Sequence, residues 1–381
     1  MRTGGPEALH QLCHELNRSG QKATMRYVNE ERDGLKTLST VTTLYRERYT
    51  SLSQSADEEL TNEWLIVLPE IYLHYAPVLA HQCPVLVWWL SVDNALPALG
   101  RLHNLLDKIR SHPLIFHAYQ STYAGNFIAA LGLQSLDIPL SDYVYLAGKA
   151  VSNTANLDTS KVTAQKQSQA KTPIIAYNPA KGQWLAESFF NQYPNFQARP
   201  IENLSPEQLR AAISTSHAYI DFGHLPGKDR LPREALALGK AIFIKRAGAG
   251  CHAADWHLPD YARFTAKEAL NGKLFSSISK SLADDSPATD WQSAREAISR
   301  ERKIFQQEVA AMTELFAAPL TITNTNRALI ELLKEKKAPT TRALRDLDQA
   351  ERRLAHIEGS TTWQMTAPIR RLLSWFNRYF R

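Results

Sequence analysis

Twice along the chain, short apolar runs alternate with stretches of helical periodicity, and this alternation limits the possible folds more than any other feature. From Thr24 to Val144 the apolar runs are ATMRYV (23–28), WLIVLPEIY (64–72), PVLVWWL (84–90) and PLIFHAY (113–119). Near-continuous runs of this kind suit strands buried on both faces, as in a parallel sheet covered by helices. The segments between them, 73–82, 98–110 and 122–132, read as helices and complete a βαβ series. A second series runs through TPIIAYNPAKG (172–182), FQARPI (196–201), AYIDF (218–222) and KAIFIKR (240–246), with helices expected near 183–192, 205–215 and 231–238. The stretch between the two series, residues 148–171, is small, polar and without periodicity, as a linker is.

The expected division is therefore an N-terminal α/β domain over 1–147, a linker over 148–171 and a second α/β domain over 172–290. C-terminal helices follow over 291–337, then a short helical segment and a basic tail over 338–381. With 381 residues the chain has room for two such domains, and 44% hydrophobic with 22% charged residues is an ordinary globular balance. Three scattered cysteines, Cys13, Cys83 and Cys251, argue against a disulfide framework and for a reducing compartment. No run approaches the roughly 18 apolar residues of a membrane span, and the first residues carry no signal-peptide pattern. The expected location is the cytoplasm.

The net charge of +6 raises the question of nucleic acid, so its position matters. Eight arginines against four acidic residues place most of the excess in the last 44 residues, leaving the body nearly neutral. A nucleic-acid partner is not expected; a basic tail fits an acidic membrane face at least as well. Within it, Leu344, Leu347, Leu354 and Ile357 stand at roughly heptad spacing, as in a short coiled coil or a docking helix. Beyond Pro368, the residues Ile369, Leu372, Leu373, Phe376, Tyr379 and Phe380 share one helical stripe, with Arg370, Arg371, Arg378 and Arg381 off it. That composition is one of an interfacial membrane helix over about 363–381, or of a helix docked on the protein itself.

At the N-terminus, TGGPEALHQL reads as a helix with Pro6 in its first turn and Leu9, Leu12, Cys13 and Leu16 as its buried stripe; Gly20 is placed to end it. Gly4 and Gly5 either form a plain tight turn or let backbone N–H groups approach an anion at the helix start. His10, Cys13 and His14 have helical ligand spacing, but Gln11 stands where a zinc protease motif has glutamate and no third ligand is near, so no metal site is expected. A nucleotide-binding α/β domain places its first strand before such a glycine turn. Only Met1 and Arg2 precede Thr3 here, which leads to the expectation of an apolar run of about six residues encoded upstream.

Ligands of open α/β sheets bind beyond the carboxyl ends of the strands. Asp93 and Asn94 after the third run, and Gln120, Ser121 and Tyr123 after the fourth, are thus candidates to line a cleft or to be ordinary loop polarity. Lys181, before the helix at 183, can meet a phosphate there or remain a solvated lysine. The most specific stretch is GHLPGKDRLPRE (223–234). Lys228, Arg230 and Arg233 collect at the positive end of a helix dipole, which is unfavourable without an anion. Asp229 and Glu234 do not neutralise all three. A bound diphosphate would, with Gly223 and Gly227 letting the backbone come close and Glu234 accepting ribose hydroxyls.

These paired α/β units, TGGPEALHQL and PREALALGKAI (232–242) together resemble glycosyltransferases of the GT-B fold, above all the bacterial group-1 type that builds surface polysaccharides. In that family the late helix reads roughly P-x-E-A-x-A-x-G-x-P-V, and its glutamate binds the donor ribose; Glu234 occupies that place. Lys181 corresponds to the family's phosphate-binding basic residue. GSTTWQMTAPIRRL (359–372) looks like tails of enzymes of lipopolysaccharide assembly. The resemblance, spanning about residues 3 to 335, implies two Rossmann-like domains facing a cleft, with a C-terminal helical extension. It implies sugar transfer from a nucleotide-sugar held by the second domain to a glycan or lipid-linked acceptor held by the first. No metal or other cofactor is expected, because helix dipole and basic side chains stabilise the leaving diphosphate. One departure concerns mechanism. Retaining members carry Glu-x7-Glu, and Pro226 stands where the first glutamate would be, leaving His224 as the nearest candidate for contact with the sugar or its phosphate. The same departure favours an alternative, a non-catalytic GT-B-like scaffold that recruits polysaccharide enzymes.

Overall fold

A computed structural model describes residues 4–31, 34–38, 45–49, 63–100, 105–133, 139–146, 149–150, 172–283 and 290–317. Most of the expected linker, the helical segment 341–357 and the tail 363–381 lie outside these residues. Both sheets described below belong to one compact unit. Among the described residues no helix is long and apolar enough to cross a membrane.

The N-terminal lobe opens with helix α1 (Gly4–Arg18), followed by an antiparallel hairpin of β1 (Val28–Glu31) and β2 (Gly34–Thr37). Its central sheet has three parallel strands in sequential order, β3 (Ile66–Pro69), β4 (Val85–Trp89) and β5 (Ile115–Tyr119). Every residue of β4 is buried, as its unbroken apolar run requires of a strand covered on both faces. Strand β3 is shorter than expected from WLIVLPEIY. Pro69 has no N–H for the ladder, and Glu70 begins a tight helical turn over Glu70–Tyr75. Segment 23–28, expected as one strand, contributes a bridge residue at Met25 and, at Val28, the first residue of β1; its half-buried side chains line an open cleft. Leu9 and Leu16 of α1 face that same cleft, and Ala8, Leu12 and Cys13 carry the helix's apolar burial. Helix α2 (Val92–Leu99) follows β4 and helix α3 (Thr122–Ala130) follows β5.

The second lobe has five parallel strands: β6 (Ile174–Tyr177), β7 (Gln197–Pro200), β8 (Ala218–Asp221), β9 (Ala241–Lys245) and β10 (Arg263–Phe264), in the order β7-β6-β8-β9-β10. Helices α4 (Gln183–Gln192) and α5 (Pro206–Ser214) connect the first three strands, and Ser205 and Gln208 close α5 with a reciprocal capping box. Helix α6 (Arg230–Ala237) leads into β9. Ile175, Leu185, Phe189, Tyr219, Phe222 and Phe243 fill the core between sheet and helices. Because β7 lies on one side of β6 and β8 on the other, the connections diverge at the β6/β8 boundary. In a doubly wound sheet that is where a crevice opens at the carboxyl ends of the strands.

The last described helix, α7 (Gln292–Ala317), leaves the second lobe and packs on the first. At its start Trp291 is buried, its Nε1 donating to Ile242 O at 3.2 Å. Further along, Phe305 is fully buried and stacks on Trp88 at 6.2 Å between ring centroids.

Candidate functional site

The β6/β8 crevice is closed by two loops that interlock through glycine. Gly182, at φ +67°, precedes α4, and a Cβ there would overlap the Phe222 carbonyl; a Cβ on Gly223 would overlap that of Lys181. The loops after β6 and β8 are thereby pressed together, and Lys181 Nζ pairs with Asp229. Beneath them Asp221 is buried and receives the Gly223 N–H at 2.9 Å and the Tyr219 hydroxyl at 3.2 Å. Burial and the nearby Asp229 push its carboxyl up to about 6. Burial likewise raises Asp229, with Lys181 opposing the rise.

The second loop also docks on the first lobe. Gly227 sits so close to the Leu90 carbonyl that a Cβ would overlap it. Pro226 O accepts the Val92 N–H at 2.9 Å, and the Lys228 N–H donates to Gln120 Oε1 at 2.9 Å. Gln120 passes the contact on, its Nε2 donating to Asp142 Oδ1 at 2.8 Å. Asp142 Oδ2 accepts from Arg233 Nη2 at 2.8 Å, while Arg233 Nη1 donates to both Glu301 oxygens at 3.1 Å. Lys228 Nζ lies 3.7 Å from the same Glu301. Arg230 pairs with Glu234 at 3.0 Å and with Glu7 of α1, which also accepts from Arg48 at 2.8 Å and from the Tyr49 hydroxyl at 3.1 Å.

Two expectations are corrected by this geometry. The cations of 228–233 do not need a bound anion to coexist, because Glu7, Asp142 and Glu301 meet them from α1, from the loop before residue 145 and from α7. Arg233 is fully enclosed, with 0% of its side chain exposed. Burial alone would lower its pKa, but Asp142 and Glu301 more than offset that and hold it above the ordinary value. It braces the wall from behind and presents no guanidinium face to a ligand. The room left by Gly223 and Gly227 is likewise occupied by protein.

A cleft of about 1930 Å³ runs between the lobes. Of the residues expected at a donor site, Lys181, Lys228, Asp229, Arg230, Arg233 and Glu234 line it, Arg233 with its side chain fully enclosed, and so do Gly4, Gly5, Asn94 and Gln120. Asp93 and His224 lie apart from its lining and pair with each other, His224 Nε2 to Asp93 Oδ2 at 3.2 Å, with the Tyr123 ring edge-on to His224. Ser121 is buried and accepts the Ala124 N–H at 3.2 Å, as a residue closing the start of α3 does. His10 is committed within the lobe, its Nδ1 donating to Pro6 O at 2.5 Å and its Nε2 accepting from the Tyr27 hydroxyl at 2.8 Å. Among the described residues no cluster of three or more His, Cys, Asp or Glu is arranged to hold a metal.

Sequence reasoning missed Glu7, Glu70, Ser91, Asp142 and Glu301. Glu70 directly follows β3 and Ser91 stands two residues beyond β4, so the strand-end rule that selects Asp93 also selects them. Glu301 has no local signal, since only the path of α7 brings it to the loop.

Compared with solved structures, the chain aligns with a glycosyltransferase from Rickettsia africae ESF-5 at a TM-score of 0.51 and 11% identity, over 83% of this chain and 96% of that one. It also aligns with the catalytic domain of starch synthase IV from Arabidopsis thaliana bound to ADP and acarbose, at 0.37 and 10% over 75% and 84% of the two chains. A GtfA/B complex bound to UDP and GlcNAc aligns at 0.34 and 14% over 77% and 70%. No protein-family model matches the chain, and neither does any curated protein sequence. The first likeness shows the fold: two Rossmann-like α/β lobes facing a cleft, as in GT-B enzymes, with a C-terminal helix.

Proposed function

We propose that this protein is a glycosyltransferase that moves a hexosyl group from a nucleotide-diphosphate sugar to a glycan or lipid-linked acceptor. The observation that carries the reading is the position of Lys181 and the 226–234 loop. Both stand at the carboxyl ends of β6 and β8, where the strand order reverses, and both face the cleft. Lys181 and Lys228 supply positive charge for the diphosphate, and Glu234, in the second turn of α6, accepts the ribose hydroxyls. A cleft of about 1930 Å³ exceeds what one small ligand fills and has room for donor and acceptor together. The fold shared with the Rickettsia glycosyltransferase supports the same reading. No metal or organic cofactor enters it. The sequence of the tail supports work on surface polysaccharide or lipopolysaccharide at the cytoplasmic face of a membrane, with residues 363–381 as the peripheral contact.

The pairing of every cation in the loop with a carboxylate favours a second reading, a scaffold of the same fold whose loop is stable without a nucleotide. The two separate in a thermal-shift screen of UDP-, GDP- and dTDP-sugars. A transferase is stabilised by at least one of them, and the stabilisation disappears in a variant carrying both Lys228→Ala and Glu234→Ala. A protein that responds to none, or a double variant that binds and turns over as the parent does, would sink the assignment.

A further inference from the structure

Glu70 lies at the carboxyl end of β3, on the first-lobe wall of the cleft, with 3% of its surface exposed. Its Oε2 accepts the Leu90 N–H at 3.1 Å, and its own backbone N–H, the Asn94 side chain and the Ser91 N–H are its other close partners. None of these carries a charge, so the carboxylate has no counter-ion among its contacts. A side chain needed only to accept those N–H bonds would be served by a neutral amide, which avoids the cost of burying a charge. Beside it, Ser91 also lines the cleft and is 92% buried, and its Oγ is without a hydrogen-bond partner. Both groups adjoin the donor loop, because the Leu90 carbonyl abuts Gly227 and the Val92 N–H bonds to Pro226.

We infer that Glu70 is the base that takes the proton from the acceptor hydroxyl during sugar transfer, that Ser91 Oγ helps to hold that hydroxyl, and that transfer inverts the anomeric centre. The inference rests on the glycosyltransferase reading above. As the acceptor oxygen bonds to the anomeric carbon, its proton passes to the Glu70 carboxylate. The bond from that carbon to the donor diphosphate breaks, and its electron pair leaves on the diphosphate oxygen, where Lys181 and Lys228 meet the charge. One base and one displacement put the new bond on the ring face opposite the leaving group. Burial, which raises the Glu70 carboxyl to about 7, suits the task, since a general base works best with a pKa near the operating pH. The Asp93–His224 pair lies outside the lining of the cleft and takes no part in the step.

The test uses Glu70→Gln, which preserves shape and an oxygen for the Leu90 N–H. Wild type and variant are given α-linked UDP-, GDP- and dTDP-hexoses with water as the minimal acceptor. Donor binding is followed by thermal shift, diphosphate release by a coupled assay, and the first anomer released by proton NMR. The expected result is β-anomer from wild type, unchanged donor binding in the variant, and release slowed by at least about 100-fold. The rising limb near pH 7 in the wild-type rate should also be lost, which a merely structural role would not produce. Turnover within about threefold of wild type in the variant, or release of α-anomer, overturns the assignment of Glu70 while leaving the enzyme a glycosyltransferase. Absence of nucleotide-sugar binding in wild type, or binding without any turnover, overturns the glycosyltransferase reading and this inference with it.

Discussion

The carboxylates of this molecule differ in how burial is compensated. Glu301 and Asp142 share the charge of Arg233, and Glu7 has two arginines. Glu70 has only dipoles, and burial shifts its carboxyl from an ordinary value of 4.5 to about 7. A carboxyl whose pKa is raised on folding contributes stability in its protonated form. That contribution is complete below the unfolded value of 4.5 and is lost as the pH rises through 7. At about 1.4 kcal/mol per unit, ionised Glu70 costs the fold roughly 3 kcal/mol above pH 7. Glu70→Gln carries no charge, so it should be more stable than wild type at pH 8 by up to about 3 kcal/mol, with the gap closing toward pH 4.5. Urea denaturation of both proteins at pH 5, 6, 7 and 8 measures it. A gap independent of pH would contradict the burial of an ionisable carboxyl at this position. Such residues are half-legible in sequence: Glu70 stands at a strand end, where polar side chains meet ligands, but its isolation from cations depends on the folded surroundings. The burial of Arg233 was not legible, because its two partners stand 91 and 68 positions away.

Among the elements, the parallel strands were the most legible, because a strand buried on both faces shows as a continuous apolar run. The hairpin β1–β2 has no sequence signal, as VNEE is mostly exposed and carries no alternation. Pro232 and Gly239 mark helix α6 to within a residue, yet the charges of the loop before it point in sequence to a balancing ligand. The structure balances it with protein and uses the loop to join the lobes. Gly227 is the tightest point of that joint, with the Leu90 carbonyl and, at 2.9 Å, Gln120 Oε1 in the space of a Cβ. Backbone on one side and a hydrogen-bonded amide on the other leave little room for relaxation. Gly227→Ala should therefore destabilise by about 1–3 kcal/mol, the range for overpacking, and disturb the Lys228–Gln120 bond. Thermal denaturation and nucleotide-sugar titration of the variant test both parts; wild-type stability with wild-type affinity would show that the loop docks more loosely than this geometry requires.

At the scale of the molecule, α7 decides how the lobes behave together. It starts from Trp291, packed on Phe243 and bonded to Ile242 of the second sheet, and ends against the first. On the way Glu301 accepts the Val144 N–H at 3.2 Å, Glu308 accepts the Ser141 N–H at 2.8 Å, and Arg302 and Gln306 bond Glu15 of α1. A helix anchored on both sheets ties their unfolding together, since neither lobe can open without exposing one of its ends. Wild type should consequently unfold in one calorimetric transition, although large two-lobed chains often show more. Phe305 is the apolar centre of the first-lobe contact, enclosed by Trp88 and Tyr143. Phe305→Ala leaves a cavity there and should cost about 3–5 kcal/mol. Because the loss falls on one lobe only, its transition should separate from that of the second lobe and move to lower temperature. Two transitions already present in wild type, or a variant that melts as one unit with a loss under about 1 kcal/mol, would mean that the ion pairs at Arg233, and not α7, couple the lobes.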